Sequence, residues 1–318
     1  ASANQIKKEI YSSGINATFF ELAQEHLDDL ESTEKLNRLS TDKAWLSFII
    51  KYHNSKQLSF QEIDERFLKK LMLTLKVKYS LSETSIMNIL VFVRLLFNRA
   101  IKYKIVSREL YPFGGDKIKI KFPETTKVGL NILEIQQIEN LINLKPSEIH
   151  TRNVWLFSFN FAGMRVSDVL RTKWSDIYDN RLHYRMHKNA KLLSLKIPEK
   201  VLKILDQYKD DKRSDDDFVF PELKKADPEN AKDLYNKRKT ATKRFNDNLK
   251  SISKKAKINK KITMHIARHS FGNIAGDAIH PLMLQKLYRH SDLKTTLNYQ
   301  ANFIHKEADD ALDSVINF

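Results

Sequence analysis

The chain has 318 residues, of which 42% are hydrophobic and 30% charged. This length and composition predict a folded protein of about two domains rather than a disordered one. Because the sequence contains no cysteine, disulfides, thiolate nucleophiles and cysteine-ligated zinc are excluded, and any nucleophile is an oxygen or an amine. The 55 Lys and Arg against 39 Asp and Glu give a net charge of +16, which favours a polyanionic partner such as nucleic acid, although a lysine-rich solvated surface has the same charge.

The N-terminus carries no targeting signal that we recognise, and we expect no membrane contact. No apolar run approaches the roughly 20 residues that span a bilayer, and the first residues lack the apolar core of a signal sequence. We therefore expect a cytoplasmic protein. The sequence starts at Ala1 rather than at a methionine, so we also expect that a preceding segment of the natural protein is absent here.

From Thr18 to about Tyr111, apolar residues recur at intervals of three and four, which is typical of helices that bury one face. The stretch from Ile86 to Ile101 follows Ser82, whose hydroxyl can cap the free amides of a first helical turn. We therefore predict a small all-helical domain over residues 1–112. The apolar positions of its earlier helices are Phe19, Leu22, Ala23, Leu27, Leu30, Ala44, Phe48, Ile49, Tyr52, Phe67, Leu68, Leu71 and Leu75.

Residues 113–128 combine helix-breaking Pro and Gly with a run of lysines, which suits a linker between two domains. A clamp around DNA would need a hinge of this kind, but so would any other two-domain protein. We predict that a second domain follows over 129–318 and ends in a tail helix, where apolar residues again recur at helical spacing.

Within this second domain, the sequence predicts several helices and one β-hairpin. Helices are predicted to begin at Asn131 and to span 154–162, ending at Gly163. Two alternating runs, 181–186 and 192–198, indicate two strands joined by a short turn. A charged loop over 206–217 and a basic helix over 228–261 follow.

Arg165 lies where the helix ending at Gly163 gives way to the next one, so its guanidinium can project into a cleft. Most arginines at such places are on the surface or in salt bridges, so this position alone is uninformative. Further along, His265 and Arg268 are three residues apart and share one face of a helix. A guanidinium binds two phosphate oxygens at once, and an imidazole beside it can donate a hydrogen bond or carry a proton. A His and an Arg at this spacing more often lie on the surface of a helix without any function.

The last motif runs from Tyr288 to Tyr299 and contains His290. Ser291 or Asp292 can cap a helix whose far end presents Tyr299. Taken in order, the motifs GMRVSD at 163, a lysine-bearing hairpin, HIARHS at 265, HSDLKTT at 290 and the final tyrosine resemble the catalytic domain of tyrosine recombinases, the phage integrase family.

The resemblance covers residues 130–300, and the preceding helices resemble the SAM-like core-binding domain of the same family, so nearly the whole chain is covered. It implies a mainly α fold with a small β-sheet: an N-terminal helical core-binding domain followed by a mixed α/β catalytic domain. It also implies a site-specific recombinase or integrase of a mobile genetic element, which cleaves and rejoins DNA through a 3′-phosphotyrosyl intermediate.

The resemblance assigns roles to five matching positions. Arg165 and Arg268 would bind the non-bridging oxygens of the scissile phosphate, and His265 and His290 would complete that shell. Tyr299 would be the nucleophile. These roles are chemically consistent, because the transition state concentrates negative charge on its equatorial oxygens and two aimed guanidinium groups stabilise that charge. A free phenol has a pKa near ~10, so the nucleophile needs a proton acceptor or the surrounding cationic field.

The resemblance further implies that Lys188, at the hairpin turn, protonates the departing 5′ oxygen, with Lys191 as the runner-up. Asp168 matches the acidic position that supports Arg165. The phosphotyrosyl link retains the energy of the broken bond, so neither ATP nor a metal or other cofactor is implied. The chain departs from the family's usual pattern at Arg289, where glycine is common.

The resemblance implies double-stranded DNA as the partner. We expect a monomer in free solution and a homotetramer on two DNA sites, with DNA-bending accessory proteins as further partners and a location at the nucleoid. The tail helix would dock on a neighbouring subunit, or else fold back on its own domain. Candidate DNA contacts elsewhere are Lys43, Thr84, Asn88 and Lys191, although polar residues of this kind more often simply lie on a solvated face.

Two other functions fit parts of this pattern. A type IB topoisomerase shares the phosphotyrosyl chemistry, but it usually carries a larger enclosing clamp than this short chain allows. A catalytically silent DNA-binding regulator would keep the fold without the reaction. The presence of all the motif residues argues against the second alternative.

Overall fold

The computed structural model of the chain describes residues 17–55, 57–124, 128–185, 192–276, 279–288, 293 and 296. The chain divides into two compact units, Ala1–Thr125 and Thr126–Phe318. Each unit has its own apolar core. The described part is mainly helical with one small sheet, which confirms the predicted fold class.

The first unit is all-helical, as predicted. Its helices α1 to α4 are Phe19–Ser32, Leu36–His53, Glu65–Val77 and Glu83–Lys102. The predicted cap of α4 is confirmed, since the side chain of Ser82 accepts a hydrogen bond from the backbone N–H of Ser85 at 3.3 Å.

The core of the first unit extends into the stretch that the sequence assigns to a linker. Phe113 and Ile118 are both buried against the helices of this unit. Their backbones form an isolated bridge with each other. The core of the first unit therefore extends to about residue 120, since Ile120 also packs against it.

Helix α4 corrects one sequence-based expectation. Among the described residues it is the helix that is long and apolar enough to cross a membrane, judged by length and composition alone. The expectation that no apolar run approaches this length was therefore wrong. Nine of its side chains are buried in the core of the first unit, and this packing explains why the helix is so apolar.

The second unit contains the remaining helices. They are α5 Ile132–Glu139, α6 Pro146–Asn160, α7 Val166–Val169, α8 Glu199–Asp206, α9 Ala231–Lys255, α10 Ile266–Ala275 and α11 Pro281–Tyr288. The predicted start at Asn131 is confirmed: its side chain accepts from the N–H of Glu134, and the Glu134 carboxylate accepts from the N–H of Asn131.

The sheet is a three-stranded antiparallel meander. Its strands β1, β2 and β3 are Ile177–Tyr178, Arg181–Arg185 and Leu192–Lys196, in that order across the sheet. Arg181 pairs with Lys196, and Arg185 pairs with Leu192. The predicted hairpin is therefore confirmed, and its turn lies outside the described residues.

Helix α6 is the centre of the second unit, and it packs against α5, α7, α8, α9 and α10. Val154, Trp155 and Phe157 on this helix are fully buried. Trp155 also donates a hydrogen bond from its indole N–H to the carbonyl of Thr263, at 3.1 Å. The C-terminal end of α6 thus lies next to the segment that leads into α10, and this contact positions the candidate site.

Candidate active site

A cavity of about 350 Å³ collects side chains from three distant segments of the second unit. One segment follows α6, one is the middle of α9, and one leads into α10. The cavity brings together Arg165, His265 and Arg268, three residues that the sequence analysis singled out. The rest of its lining is Gly163, Met164, Val166, Ser167, Thr242, Asn246, Thr263 and Met264.

The turn after α6 fixes the backbone that carries Arg165. Ala162 and Gly163 both have positive φ, at 54° and 65°, so the chain reverses sharply. Ser158 holds the turn from within α6, because its hydroxyl donates to the carbonyl of Met164 at 2.6 Å and its carbonyl accepts from the N–H of the same residue at 3.0 Å. Arg165, half-buried, then occupies the N-cap position of α7, and its side chain makes no capping hydrogen bond there. Its side chain is therefore carried on a rigid junction.

Gly163 allows α10 to approach this turn closely. A Cβ atom at this position would lie 2.4 Å from the Cα of Arg268, far inside van der Waals contact. The positive φ also disfavours any residue with a side chain. Glycine is therefore required here for two reasons, and the close approach places Arg268 beside the Arg165 turn.

Arg268 is buried, with 3% of its surface exposed. Its Nη1 donates to the carbonyl of Gly163 at 3.1 Å, and its Nη2 donates to the carbonyl of Tyr288 at 2.8 Å. Its Cζ lies 3.8 Å from the centroid of the Tyr288 ring. A buried cation needs such partners, since its burial without them costs on the order of several kcal/mol. The guanidinium is thus held in one orientation at the wall of the cavity.

His265 lies immediately before α10 and is exposed at the cavity. Its ring is 4.6 Å from the ring of His269, at an interplanar angle of 88°. The structure therefore places an accessible imidazole on the same cavity wall as the guanidinium of Arg268.

Asp168 is buried in α7, with 6% of its surface exposed, and its backbone N–H donates to the carbonyl of Arg165 at 2.8 Å. Burial, together with the charge of Arg238, lowers the pKa of Arg171, and the negative charge of Asp168 opposes this effect. The carboxylate of Asp168 thus acts electrostatically on Arg171. Support of the Arg165 side chain by this carboxylate stays a prediction.

Helix α9 contributes two cavity residues that the sequence analysis missed, Thr242 and Asn246. The Asn246 side-chain oxygen accepts from the backbone N–H of Met264 at 2.9 Å, and the Thr242 hydroxyl donates to the carbonyl of Arg238 at 2.8 Å. The sequence shows only that these two polar residues are four positions apart and therefore lie on one face of a basic helix. Polar pairs at this spacing are too common to indicate a functional site.

Four of the predicted site residues, Lys188, Lys191, His290 and Tyr299, lie outside the described residues. In the part of the chain that the structure describes, no group of His, Asp or Glu side chains could hold a metal ion.

The three candidate DNA contacts in the first unit lie on α2 and α4. The Nζ of Lys43 is 3.7 Å from a carboxylate oxygen of Glu31, and about half of its side chain is exposed. Thr84 and Asn88 are one helical turn apart, and the Asn88 amide donates to the Thr84 carbonyl at 2.9 Å. These side chains are accessible in part, and their role stays a prediction.

Comparisons with known proteins agree with this architecture. The profile described as "Phage integrase family" matches residues 130–305, and the one described as "Phage integrase SAM-like domain" matches residues 18–120. No curated protein matches the chain.

Similar solved structures include three complexes with DNA. A lambda integrase dimer bound to a COC′ core site has 15% identity, a TM-score of 0.65, and coverage of 93% of this chain and 80% of that one. A lambda integrase tetramer bound to a Holliday junction has 15% identity, a TM-score of 0.65, and coverage of 89% and 77%. The Tn1549 transposon integrase with transposon right end DNA has 16% identity, a TM-score of 0.64, and coverage of 95% and 100%.

Proposed function

Since this chain belongs to the phage integrase family, it is a tyrosine-type site-specific DNA recombinase, and we propose that Tyr299 carries out strand cleavage. The observation that supports the proposal best is the cavity in which Arg165, His265 and Arg268 meet. These residues come from segments about 100 positions apart in the sequence, so their meeting depends on the fold of the whole unit. In this proposal, the scissile phosphate of the DNA backbone binds in this cavity and is contacted by the two guanidinium groups and the imidazole.

The proposed reaction transfers a phosphoryl group twice. The phenolic oxygen of Tyr299 attacks the scissile phosphorus, the bond from phosphorus to the 5′ oxygen breaks, and a 3′-phosphotyrosyl link forms. The 5′ hydroxyl of another strand then attacks the link and releases the tyrosine. The negative charge that develops on the equatorial oxygens is stabilised by Arg165 and Arg268, with hydrogen bonds from His265 and His290.

Proton transfer to the leaving group is assigned to the hairpin. Lys188 at its turn supplies the proton to the departing 5′ oxygen, with Lys191 as the alternative donor. Strands β2 and β3 are paired up to Arg185 and Leu192, so the register of the hairpin is set immediately before this turn. Asp168 is proposed to hold the first arginine. No ATP and no metal enter any of these steps.

DNA is the proposed partner of both units, Ala1–Thr125 and Thr126–Phe318. Lys43, Thr84 and Asn88 are the proposed contacts of the first domain, and Lys191 is a further contact near the hairpin. The net charge of +16 supports a polyanionic partner.

The protein is proposed to act as a homotetramer on two DNA sites and to be a monomer when free. The similar lambda integrase structure on a Holliday junction is a tetramer, and this supports the assembly. DNA-bending proteins are proposed as accessory factors, and the nucleoid in the cytoplasm is the proposed location. A free-protein mass of four subunits without DNA would contradict the monomer.

The nucleophile is tested by trapping covalent complexes. The protein is incubated with fragmented DNA of its host, denatured, and recovered on a filter, and the retained DNA is sequenced to identify the site. A nicked duplex of that site then serves as substrate for the wild type and for Tyr299→Phe. We expect the adduct to disappear in Tyr299→Phe, because the attacking oxygen is missing.

The matched control is Tyr178→Phe, which removes a hydroxyl from a half-exposed tyrosine on β1 of the same unit. This variant should form the adduct at the wild-type rate. An adduct of unchanged yield in Tyr299→Phe would show that another residue is the nucleophile.

A further inference from the structure

Tyr288 makes a reciprocal set of contacts with Arg268. The side chain of Tyr288 is fully buried at the C-terminal end of α11. Its hydroxyl donates to the carbonyl of Arg268, while its own carbonyl accepts from Nη2 of Arg268 at 2.8 Å. The Cζ of Arg268 lies over the Tyr288 ring, 3.8 Å from the ring centroid. One tyrosine thus contacts both the backbone and the charged group of the arginine.

These contacts connect a small apolar cluster to the cavity. Tyr288 packs with Ala275 and Leu284 in a cluster separate from the main core of the second unit, and Phe271 lies against it. This cluster joins α10 to α11. The position of α11 relative to the cavity therefore depends on how Tyr288 packs.

The charge of Arg268 is useful only in a fixed orientation. A preorganised donor stabilises a transition state because it does not have to reorient when the charge develops. In a site with few supporting contacts, a shift of about 1 Å costs a large part of the rate. The carbonyl of Gly163 holds Nη1, and the ring and carbonyl of Tyr288 hold the face of the guanidinium and Nη2.

We propose that Tyr288 is a positioning residue for catalysis: it orients the Arg268 guanidinium toward the scissile phosphate. Because Tyr288 contacts Arg268, the same side chain also sets α11 against the arginine. In the sequence, His290 follows two residues after Tyr288, and the segment that leads to Tyr299 begins there. The inference rests on the proposed recombinase reaction. Tyr288 touches no substrate atom and acts through Arg268.

The test uses the full chain and its own nicked site duplex, with two substitutions. Tyr288→Leu removes the ring and the hydroxyl, and Tyr288→Phe removes the hydroxyl alone. The measurements are the DNA dissociation constant and the single-turnover rate of adduct formation. We expect Tyr288→Leu to slow adduct formation by about 10- to 100-fold, since it loosens one preorganised donor, with less than about a twofold change in DNA affinity. The rate of adduct formation by Tyr288→Phe should lie between the rates of the wild type and of Tyr288→Leu.

A second substrate separates positioning from folding. A duplex whose scissile phosphate is replaced by an uncharged methylphosphonate offers less negative charge for Arg268 to stabilise. The ratio of wild-type to Tyr288→Leu rates should therefore shrink to within about threefold on this duplex. A substitution that merely unsettled the fold would slow both duplexes equally.

The control is Tyr208→Phe, which removes a partly buried hydroxyl that lies 2.8 Å from Nδ1 of His150 in the same unit. Tyr208→Phe should shift the melting temperature, but the ratio of wild-type to variant rates should be the same on the two duplexes. Equal slowing of both duplexes by Tyr288→Leu, or no slowing, overturns the inference. If Tyr288→Leu does not fold, Tyr288→Phe decides by the same comparison. If the wild type forms no adduct, the proposed function itself fails, and this result is distinct from the others.

Discussion

At the residue scale, the turn at Gly163 is the feature most sensitive to a single methyl group. The prediction is that Gly163→Ala destabilises the second unit by about 2–4 kcal/mol, because strain at positive φ adds to the displacement of α10. Adduct formation should fall at least as much as in an Arg268 variant, since the Cβ would lie 2.4 Å from the Cα of Arg268. Urea unfolding and the single-turnover rate are the measurements.

Gly115→Ala is the matched control for this substitution. Gly115 also has a positive φ, of 53°, but a Cβ there meets nothing within 4 Å. It should cost about 1–2 kcal/mol from backbone strain alone and leave adduct formation unchanged. Equal effects of the two substitutions would show that the contact with Arg268 does not matter.

The two arginines should respond differently to replacement by lysine. Both variants should lose about 10²–10³ in the rate of adduct formation, because a lysine cannot bind two phosphate oxygens in the fixed fork of a guanidinium. Arg268→Lys should also lower the melting temperature, by roughly several degrees. The reason is that the carbonyls of Gly163 and Tyr288 lose their buried hydrogen-bond donors. Half-buried Arg165 should show no such loss.

Differential scanning calorimetry beside the kinetic assay separates the two effects. If Arg165→Lys destabilised the fold as much as Arg268→Lys, the assignment of Arg165 to substrate rather than to packing would be wrong.

The sequence allowed the motif residues to be named, but it did not allow their tertiary contacts to be predicted. Arg165, His265 and Arg268 could be named because their motifs follow one another in the order of a known family. Tyr288 could not, since its role depends on a tertiary contact between the ends of α10 and α11. A buried tyrosine near an active-site motif has the same sequence signature as any core aromatic residue.

At the scale of elements, a buried carboxylate fastens α6 to α9. Glu148 on α6 has 3% of its surface exposed and accepts hydrogen bonds from Lys255 at 2.7 Å and Ser251 at 2.6 Å. Burial raises its pKa, but these bonds and one from the backbone of Lys145 more than offset that effect and lower the pKa to about 2. The charged form is therefore favoured in the folded state.

This shift predicts how stability depends on pH. Because the folded pKa of Glu148 is depressed, its contribution is fully present above its ordinary value near 4.5 and is lost as the pH falls toward about 2. Between pH 7 and pH 3 the loss should be on the order of 2 kcal/mol. Glu148→Gln should remove this part of the acid sensitivity, as measured by urea unfolding at pH 7 and pH 3.

Glu199→Gln provides the control, because the Glu199 carboxylate on α8 is exposed and lies 3.9 Å from Lys203. Its acid sensitivity should match the wild type. An identical acid dependence for Glu148→Gln and wild type would rule out Glu148 as a source of that dependence.

Local patterns explain which elements the sequence could predict. The helices of the first unit, the cap at Ser82 and the hairpin at 181–196 follow from periodicity and turn chemistry within about 20 residues. The packing of Phe113 and Ile118 did not follow, because breakers around them resemble a linker and their burial depends on helices far away in the sequence. The membrane-length helix α4 was likewise misjudged, because its interspersed polar residues broke the apparent run.

At the scale of the whole molecule, the charge predicts the salt dependence of DNA binding. With a net charge of +16, contacts to several phosphates should release counterions, so affinity should fall by roughly 10³-fold between 50 and 200 mM salt. Fluorescence anisotropy with a labelled duplex measures this dependence. Lys43→Gln should reduce the slope of log affinity against log salt by about one if Lys43 contacts a phosphate.

Lys69→Gln is a suitable comparison, because Lys69 is an exposed lysine of the same unit paired with Glu65 at 3.6 Å. Equal slopes for Lys43→Gln and wild type would remove Lys43 from the contact surface. A slope near zero for the wild type would contradict phosphate contacts altogether.

The hydrogen bond between Gly163 and Arg268 joins positions 105 residues apart. A ribosome must therefore deliver both positions before the arginine side chain can reach its carbonyl partner. A partly unfolded chain lacks this contact, so in such a chain the Arg268 guanidinium is not held beside the turn that carries Arg165. The proposed strand cleavage should therefore appear only once the tertiary structure of the second unit is complete.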